Sequence, residues 1–127
     1  EILVRLAGTA IVSIYGQEIT GKNYLDFWAP GYRASMVRAH ELMLSHPCGL
    51  IVTLEGQSAN GQVSSSVSVG LPILNADGIP MMLFCSSQME LPHTRDNYES
   101  PLVRLKVIQT TPIDIGAGLP TPESWIP

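Results

Sequence analysis

The hydrophobic and polar positions of the chain change period near its middle. In the first part, apolar side chains recur at helical spacing, and the longest such run covers residues 32–45. Its stripe consists of Tyr32, Met36, Ala39 and Met43. Pro30 stands where a helix can begin without losing a hydrogen bond, and His46-Pro47 predicts where that helix ends. We therefore expect one long helix here.

Shorter elements are predicted ahead of this helix. Ile2–Leu6 is a β-prone run, and Ala10–Tyr15 has the apolar spacing of a short helix. Thr9 is suited to cap that helix, and Gly16 is suited to end it because glycine readily adopts the left-handed conformation. Thr20-Gly21 then begins a second short turn.

From Gly49 onward the period becomes two. In the stretch 62–73, one face carries Val63, Ser65, Val67, Val69, Leu71 and Ile73, and the other face is small and polar. This alternation is typical of a half-buried antiparallel strand. We expect the valine face to be buried, and the serines of the other face (Ser64, Ser66 and Ser68) to be solvated.

Further strands flank this one. Gly49–Leu54 is a β-branched run followed by a polar loop, and Pro80–Ser86 follows a turn at Asn75–Gly78. Leu102–Gln109 predicts one more strand. We expect the domain to cover residues 1–109, with a Pro-rich tail at 110–127 packed on it. The expected anchors of the tail are Ile113, Ile115, Leu119 and Trp125.

Composition removes several classes of function. The chain has 127 residues, 45% of them hydrophobic, and a net charge of −4 with only seven Lys and Arg. No basic patch for nucleic acid or a membrane surface is visible, and no run of about 20 apolar residues could span a bilayer. Cys48 and Cys85 are expected to be free thiols in a reducing cytoplasm. The chain opens on Glu1 without an initiator methionine, so we expect it to be a piece of a longer one.

The residues between Arg5 and Trp28 resemble the signature of PAS domains, in particular of a short stand-alone family common in alphaproteobacteria. The matching residues are Arg5-Leu6, Gly8-Thr9, Gly16, Thr20-Gly21 and Leu25-Asp26-Phe27-Trp28. Val69–Leu74 resembles the strand before the hairpin of that family, and Asp114–Gly118 resembles its ending. The resemblance covers most of Arg5–Phe84; the polar insert Ser87–Ser100 has no counterpart, and the first strand of the fold is expected upstream of Ile2.

The resemblance implies an α+β fold, in which short helices and one longer helix pack on one face of an antiparallel sheet. It implies a bacterial cytoplasmic domain for signal transduction, acting as a sensor or an interaction module. A homodimer, a small-molecule ligand and a separate downstream signalling partner are expected. The alternatives are a ligand-free structural dimerisation domain and a small α+β enzyme.

The PAS resemblance implies a ligand cavity between the helices and the sheet. Its expected lining is Phe27, Trp28, Met36, His40, Met43, Val67, Val69 and Phe84. The ligand and any cofactor remain unknown from the sequence. Haem bound through His40 is an alternative, since haem-binding relatives carry an axial histidine on this helix. Neither cysteine has the context of a flavin photoadduct, so no flavin is expected, and neither is a metal site.

The histidines, cysteines and serines of the sequence form no evident catalytic pattern. No G-x-S-x-G context surrounds a serine, and His40, His46 and His93 are not accompanied by an evident nucleophile. The carboxylates lie in different elements, which gives no paired acid and base. We therefore expect no catalytic residues and a protein that is not an enzyme.

Overall fold

A computed structural model describes residues 1–87 and 102–121. These residues form helix α1, a short 3₁₀ helix, a long helix α2 and four strands. The elements are α1 (Thr9–Tyr15), the 3₁₀ helix (Tyr24–Phe27), α2 (Pro30–Ser45), β1 (Gly49–Ser58), β2 (Val63–Leu74), β3 (Pro80–Ser86) and β4 (Leu102–Ile113). The order of helices and strands agrees with the α+β fold predicted from the sequence.

Helix α1 begins and ends at glycines. Gly8 is its N-cap and makes no side-chain hydrogen bond, so the prediction of Thr9 as the cap is wrong by one residue. Thr9 is instead the first helical residue. Gly16 ends the helix at φ 66°, and its N–H donates to the carbonyl of Ser13 at 3.3 Å. The positive φ explains why glycine occupies this position.

The N-terminal run packs beside the 3₁₀ helix and does not join the sheet. The predicted strand at Ile2–Leu6 is reduced to one antiparallel bridge between Leu3 and Asn23. The backbone groups of this run are satisfied locally: Val4 exchanges hydrogen bonds with residues 21–22, and Tyr24 N–H donates to Ile2 O at 2.7 Å. The run therefore needs no strand partner in the sheet.

Helix α2 follows its predicted bounds. Pro30 occupies its first turn, and the chain leaves the helix at His46, ahead of Pro47. His40 and Met43 are its buried residues. The side of α2 that carries these two residues faces the sheet and the 3₁₀ helix.

The four strands form one antiparallel sheet in the order β3-β2-β1-β4. Strand β1 extends to Ser58, and Gly78 at φ 76° ends the turn between β2 and β3. Strand β4 runs through Ile113, so residues 110–113, expected in the tail, belong to the sheet. A bulge shifts the β1–β4 register between Thr53 and Leu54.

The two faces of β2 are oriented opposite to the expectation. Leu50, Val52 and Leu54 of β1 are buried against the helices, and their partners in the register are Gly70, Ser68 and Ser66. Since paired residues share a face, the serines point inward and the valines outward. Ser68 is 3% exposed and Val67 is 44% exposed.

The prediction of a buried valine face and solvated serines is therefore wrong. The neighbouring strand β1 decides which residues of β2 face inward, because β1 carries the large apolar residues that the helices cover. The pattern of β2 alone contains no information about which side the helices occupy.

The backbone of the segment after β4 is held by the side chain of Asp114. Asp114 Oδ1 accepts hydrogen bonds from the N–H groups of Gly116 and Gly118 at 2.8 and 3.0 Å. Ile115 and Leu119 are exposed, so they do not anchor the tail as expected. Trp125 and most of the polar insert, residues 88–100, lie outside the described residues.

Candidate functional site

Four ring side chains gather between the helices and the inner face of the sheet. Tyr24 is central: its ring centroid lies 5.8 Å from Trp28, 6.3 Å from His40 and 6.4 Å from Phe84. The rings of His40 and Phe84 are 5.5 Å apart. Phe84 reaches this place because Gly70 faces it from β2 without a side chain. We call Tyr24, Trp28, His40 and Phe84 the aromatic cluster.

His40 has one imidazole nitrogen in a hydrogen bond and one without. Its Nδ1 lies 2.8 Å from the carbonyl oxygen of Met36. A carbonyl can only accept, so Nδ1 carries the proton, and Nε2 carries the lone pair of the neutral ring. Burial lowers the pKa of His40, while the hydrogen bond to Met36 raises it by less. The ring is therefore neutral near pH 7, and its buried Nε2 has no partner within the described part of the chain.

Trp28 presents a second buried polar atom. Its indole Nε1 makes no hydrogen bond of good geometry with any described residue. It nevertheless lies close to the hydroxyl of Tyr24, whose pKa is raised by burial and lowered to a lesser extent by Tyr15 and Trp28. Burial also raises the pKa of Tyr15 well above its usual value, and the neighbouring Tyr24 adds to that effect. Two phenols and an indole N–H thus meet in the core.

A row of hydroxyl groups continues this polar region along β2. Ser64, Ser66 and Ser68 are all buried on the inner face. Ser68 and Ser86 are directly paired across β2 and β3, and their Oγ atoms lie 2.5 Å apart. The next inner-face pair along these strands is Gly70 and Phe84, so the serines adjoin the aromatic cluster. The inner side of β2 is therefore polar, next to the buried apolar side chains of β1.

The outer face of the sheet has the opposite character. Cross-strand pairs join Ile51 with Val69, Val69 with Cys85, and Leu71 with Leu83. Val67, Ile73 and Leu83 are exposed there, and Cys85 is an exposed free thiol. The Glu55–Lys106 ion pair, at 2.9 Å, lies farther along the sheet. We use the name outer patch for the outer-face residues of these strands, which are Ile51, Val67, Val69, Leu71, Ile73, Met81, Leu83 and Cys85.

A comparison with known families identifies the fold. The PAS domain family model matches residues 1–84. This chain belongs to the PAS domain family. No curated protein and no solved structure matches the chain significantly. PAS domains are typically sensory or interaction domains, which gives the general role of this one.

Six of the predicted cavity residues of this PAS domain lie on the inner side of its sheet. Phe27, Trp28 and Met43 belong to one buried cluster, and Met36 packs against it. His40 and Phe84 are in ring contact. Val67 and Val69 lie in the outer patch, on the other side of the sheet, because they alternate along β2 with the inward-facing serines.

Sequence reasoning missed Tyr24 and the serines as members of the inner region. Asn23 positions Tyr24, because its Oδ1 accepts from Leu25 N–H and fixes the start of the 3₁₀ helix. A signal for the serines existed in the sequence. Gly70 lies in phase with Ser64, Ser66 and Ser68, and a strand glycine often marks a close approach by a neighbour.

Other chemistry in the PAS domain is limited. Within residues 1–87 and 102–121, no three His, Cys, Asp or Glu side chains lie close enough to hold a metal ion. Cys48 is fully buried, and burial raises the pKa of its thiol. No helix in the described ranges has the length and hydrophobicity required to cross a membrane.

Proposed function

We propose that this PAS domain is a homodimeric sensor. In this proposal, the inner side of the sheet binds a small polar molecule, and the outer patch meets a second copy of the chain. The observation that carries the proposal is the alternation of β2, with serines toward the helices and aliphatic side chains toward solvent.

The inner side supports a polar ligand by its unsatisfied groups. A buried polar atom without a hydrogen bond costs about 1–3 kcal/mol. His40 Nε2 can accept and Trp28 Nε1–H can donate, and both are buried without partners among the described residues. A neutral molecule with a donor and an acceptor would satisfy both atoms, and the hydroxyls of Ser66 and Ser68 offer further contacts.

The outer patch supports self-association by its neutrality. Apolar surface of this kind on a soluble protein marks an interaction site. The residues of the outer patch are all uncharged. A symmetric dimer places the same patch on both partners, so a neutral apolar face is complementary to itself. A charged partner would find no matching charge there.

Strand β2 connects the two sides. A ligand that displaces Ser68 or Phe84 would shift β2, whose opposite face carries Val67 and Val69 in the proposed dimer contact. Output then passes to a downstream partner through the dimer, with no catalytic step by this domain. Since Cys48 and Cys85 are both free thiols, a reducing compartment such as the cytoplasm suits the protein.

Native mass spectrometry of the freshly purified protein, combined with an absorption spectrum, tests the proposal. We expect a dimer that carries additional mass. Ser68→Ala should lose the additional mass, while Ser65→Ala, on the outer face of the same strand, should retain it. A dimer without additional mass would leave a ligand-free dimerisation domain. A monomer without additional mass would overturn the proposal.

Haem bound through His40 is the second candidate, because Nδ1–H is engaged by Met36 and Nε2 is left with its lone pair. This is the arrangement of a metal-ligating histidine. The rings of Tyr24 and Phe84 pack against His40, so they would have to move to admit a haem. Reconstitution should then give a Soret band that His40→Ala abolishes. Without such a band this candidate fails.

A further inference from the structure

A cleft lies between the start of α2 and the outer edge of β4. Its volume is about 400 Å³, and it is lined by Gly31, Tyr32 and residues 107–110. This volume is within the range of about 300–1,000 Å³ that is usual for binding pockets. Ile108, in the bulge of β4, is 58% exposed. The cleft lies outside the outer patch, and its Tyr32 ring lies 6.5 Å from the ring of Trp28 in the aromatic cluster.

The edge of β4 has open hydrogen-bonding groups along this cleft. Within residues 1–87 and 102–121, strand β4 is the last strand of the sheet, and it pairs with β1 on one side. On its other side, the chain before α2 makes one parallel bridge, between Trp28 and Leu105, and Ala29 N–H donates to Leu105 O at 3.2 Å. The chain turns into α2 at Pro30. The strand pairing stops there, and the cleft begins.

The far end of the open edge is set by Pro112. A proline is tolerated in a strand where its nitrogen faces away from the neighbouring strand. Backbone groups alternate along a strand, so the N–H of Thr110, two residues earlier, faces the same open side. The free edge therefore extends from Val107 to Thr111, between the bridge at Leu105 and the proline.

We propose that this cleft binds an extended peptide, which adds to the edge of β4 as a short strand. The occupant continues the pairing that Trp28 and Ala29 begin at Leu105. Main-chain hydrogen bonds give affinity in this mode of binding, and side-chain contacts give selectivity. Tyr32 and Ile108 provide apolar contacts, and none of the described residues that line the cleft is acidic or basic. An uncharged, apolar peptide segment is therefore preferred.

A single peptide suits the cleft better than the edge of a second copy. The first turn of α2 forms a wall beside residues 107–110. A second β4 edge would bring its own α2 against that wall, whereas a peptide in extended conformation needs only the width of one strand. The proposal does not depend on the ligand or the dimer discussed above.

Selection from a random short-peptide library displayed on phage tests this proposal, with the full chain as bait. An enriched peptide is then synthesised, and its affinity is measured by calorimetry together with amide hydrogen exchange. We expect the peptide to protect the amides of Val107 and Thr110. Thr110→Pro removes one donor at the open edge and should weaken binding about tenfold, the effect of losing one good hydrogen bond. Thr110→Ala retains the N–H and should therefore lose much less affinity than Thr110→Pro.

Circular dichroism would verify that Thr110→Pro remains folded; if it does not, the pattern of amide protection and the tolerance of Thr110→Ala decide alone. Failure to enrich any peptide would overturn the proposal, as would protection at other amides. A dimer that Thr110→Pro converts to monomers would also overturn it, because the edge would then belong to a second copy.

Discussion

The ring of Phe84 occupies the space that a side chain on residue 70 would need. A Cβ built on Gly70 would lie 2.5 Å from Cε1 of Phe84, which is closer than real Cβ contacts. Because Phe84 also contacts Tyr24 and His40, the ring cannot move without disturbing the aromatic cluster. We predict that Gly70→Ala lowers the free energy of unfolding by about 1–3 kcal/mol, the usual effect of overpacking. Urea denaturation would measure it.

A matched glycine provides the control for this prediction. Gly31 lies in α2 and has open space around the position of a Cβ, with no positive φ. Gly31→Ala should be neutral or slightly stabilising, because alanine has the higher helix propensity. The double variant Gly70→Ala/Phe84→Ala should lose less stability than the sum of its single changes. Equal effects of Gly70→Ala and Gly31→Ala would contradict the prediction.

Local patterns predicted where the two α-helices end. Pro30 and His46 delimited α2, and Gly16 ended α1, since each depends on backbone preferences of a few neighbouring residues. The face of β2 could not be predicted in the same way. It depends on the register with Leu50 and Val52 of β1, a contact distant in sequence. The predicted lining of the cavity included Val67 and Val69, which lie on the other side of the sheet, because this register could not be read from the sequence.

The outer patch gives a prediction about association. Val67 is 44% exposed at one end of this patch, beside Val69 and Thr53. If the patch is a dimer contact, Val67→Asp buries a charge without a partner on each copy and should weaken dimerisation about tenfold or more. Sedimentation equilibrium would measure the dissociation constant. Leu6→Asp, a charge introduced at an exposed leucine outside the sheet, should leave the constant unchanged. Equal association of all three proteins would refute this interface.

His40 predicts a dependence of stability on pH. Burial lowers its pKa in the folded state, so the unfolded chain binds the proton first as the pH falls. The stability contributed by the neutral ring is present above the unfolded value of about 6.5 and is lost below it, down to the folded pKa. The slope for one proton is at most about 1.4 kcal/mol per pH unit.

Chemical denaturation between about pH 7.5 and about pH 5, on either side of the reference pKa of histidine, would test this dependence. His40→Gln keeps a polar side chain on α2 but cannot titrate, so its stability should decrease less over the same interval. Parallel curves for the two proteins would show that His40 does not account for the loss.

Asn23 fixes the N-terminal run to the 3₁₀ helix. Its Oδ1 accepts hydrogen bonds from Ile2 N–H at 2.9 Å and from Leu25 N–H at 3.3 Å. Asn23→Ala removes both, and we expect it to lower the free energy of unfolding by about 1–2 kcal/mol, as for loss of a helix cap. Asn23→Asp retains the acceptor oxygen and should restore most of the stability. Because the 3₁₀ helix also carries Tyr24, the tyrosine near-ultraviolet dichroism should change in Asn23→Ala and recover in Asn23→Asp. If the two variants behave alike, the side-chain oxygen is not what stabilises this junction.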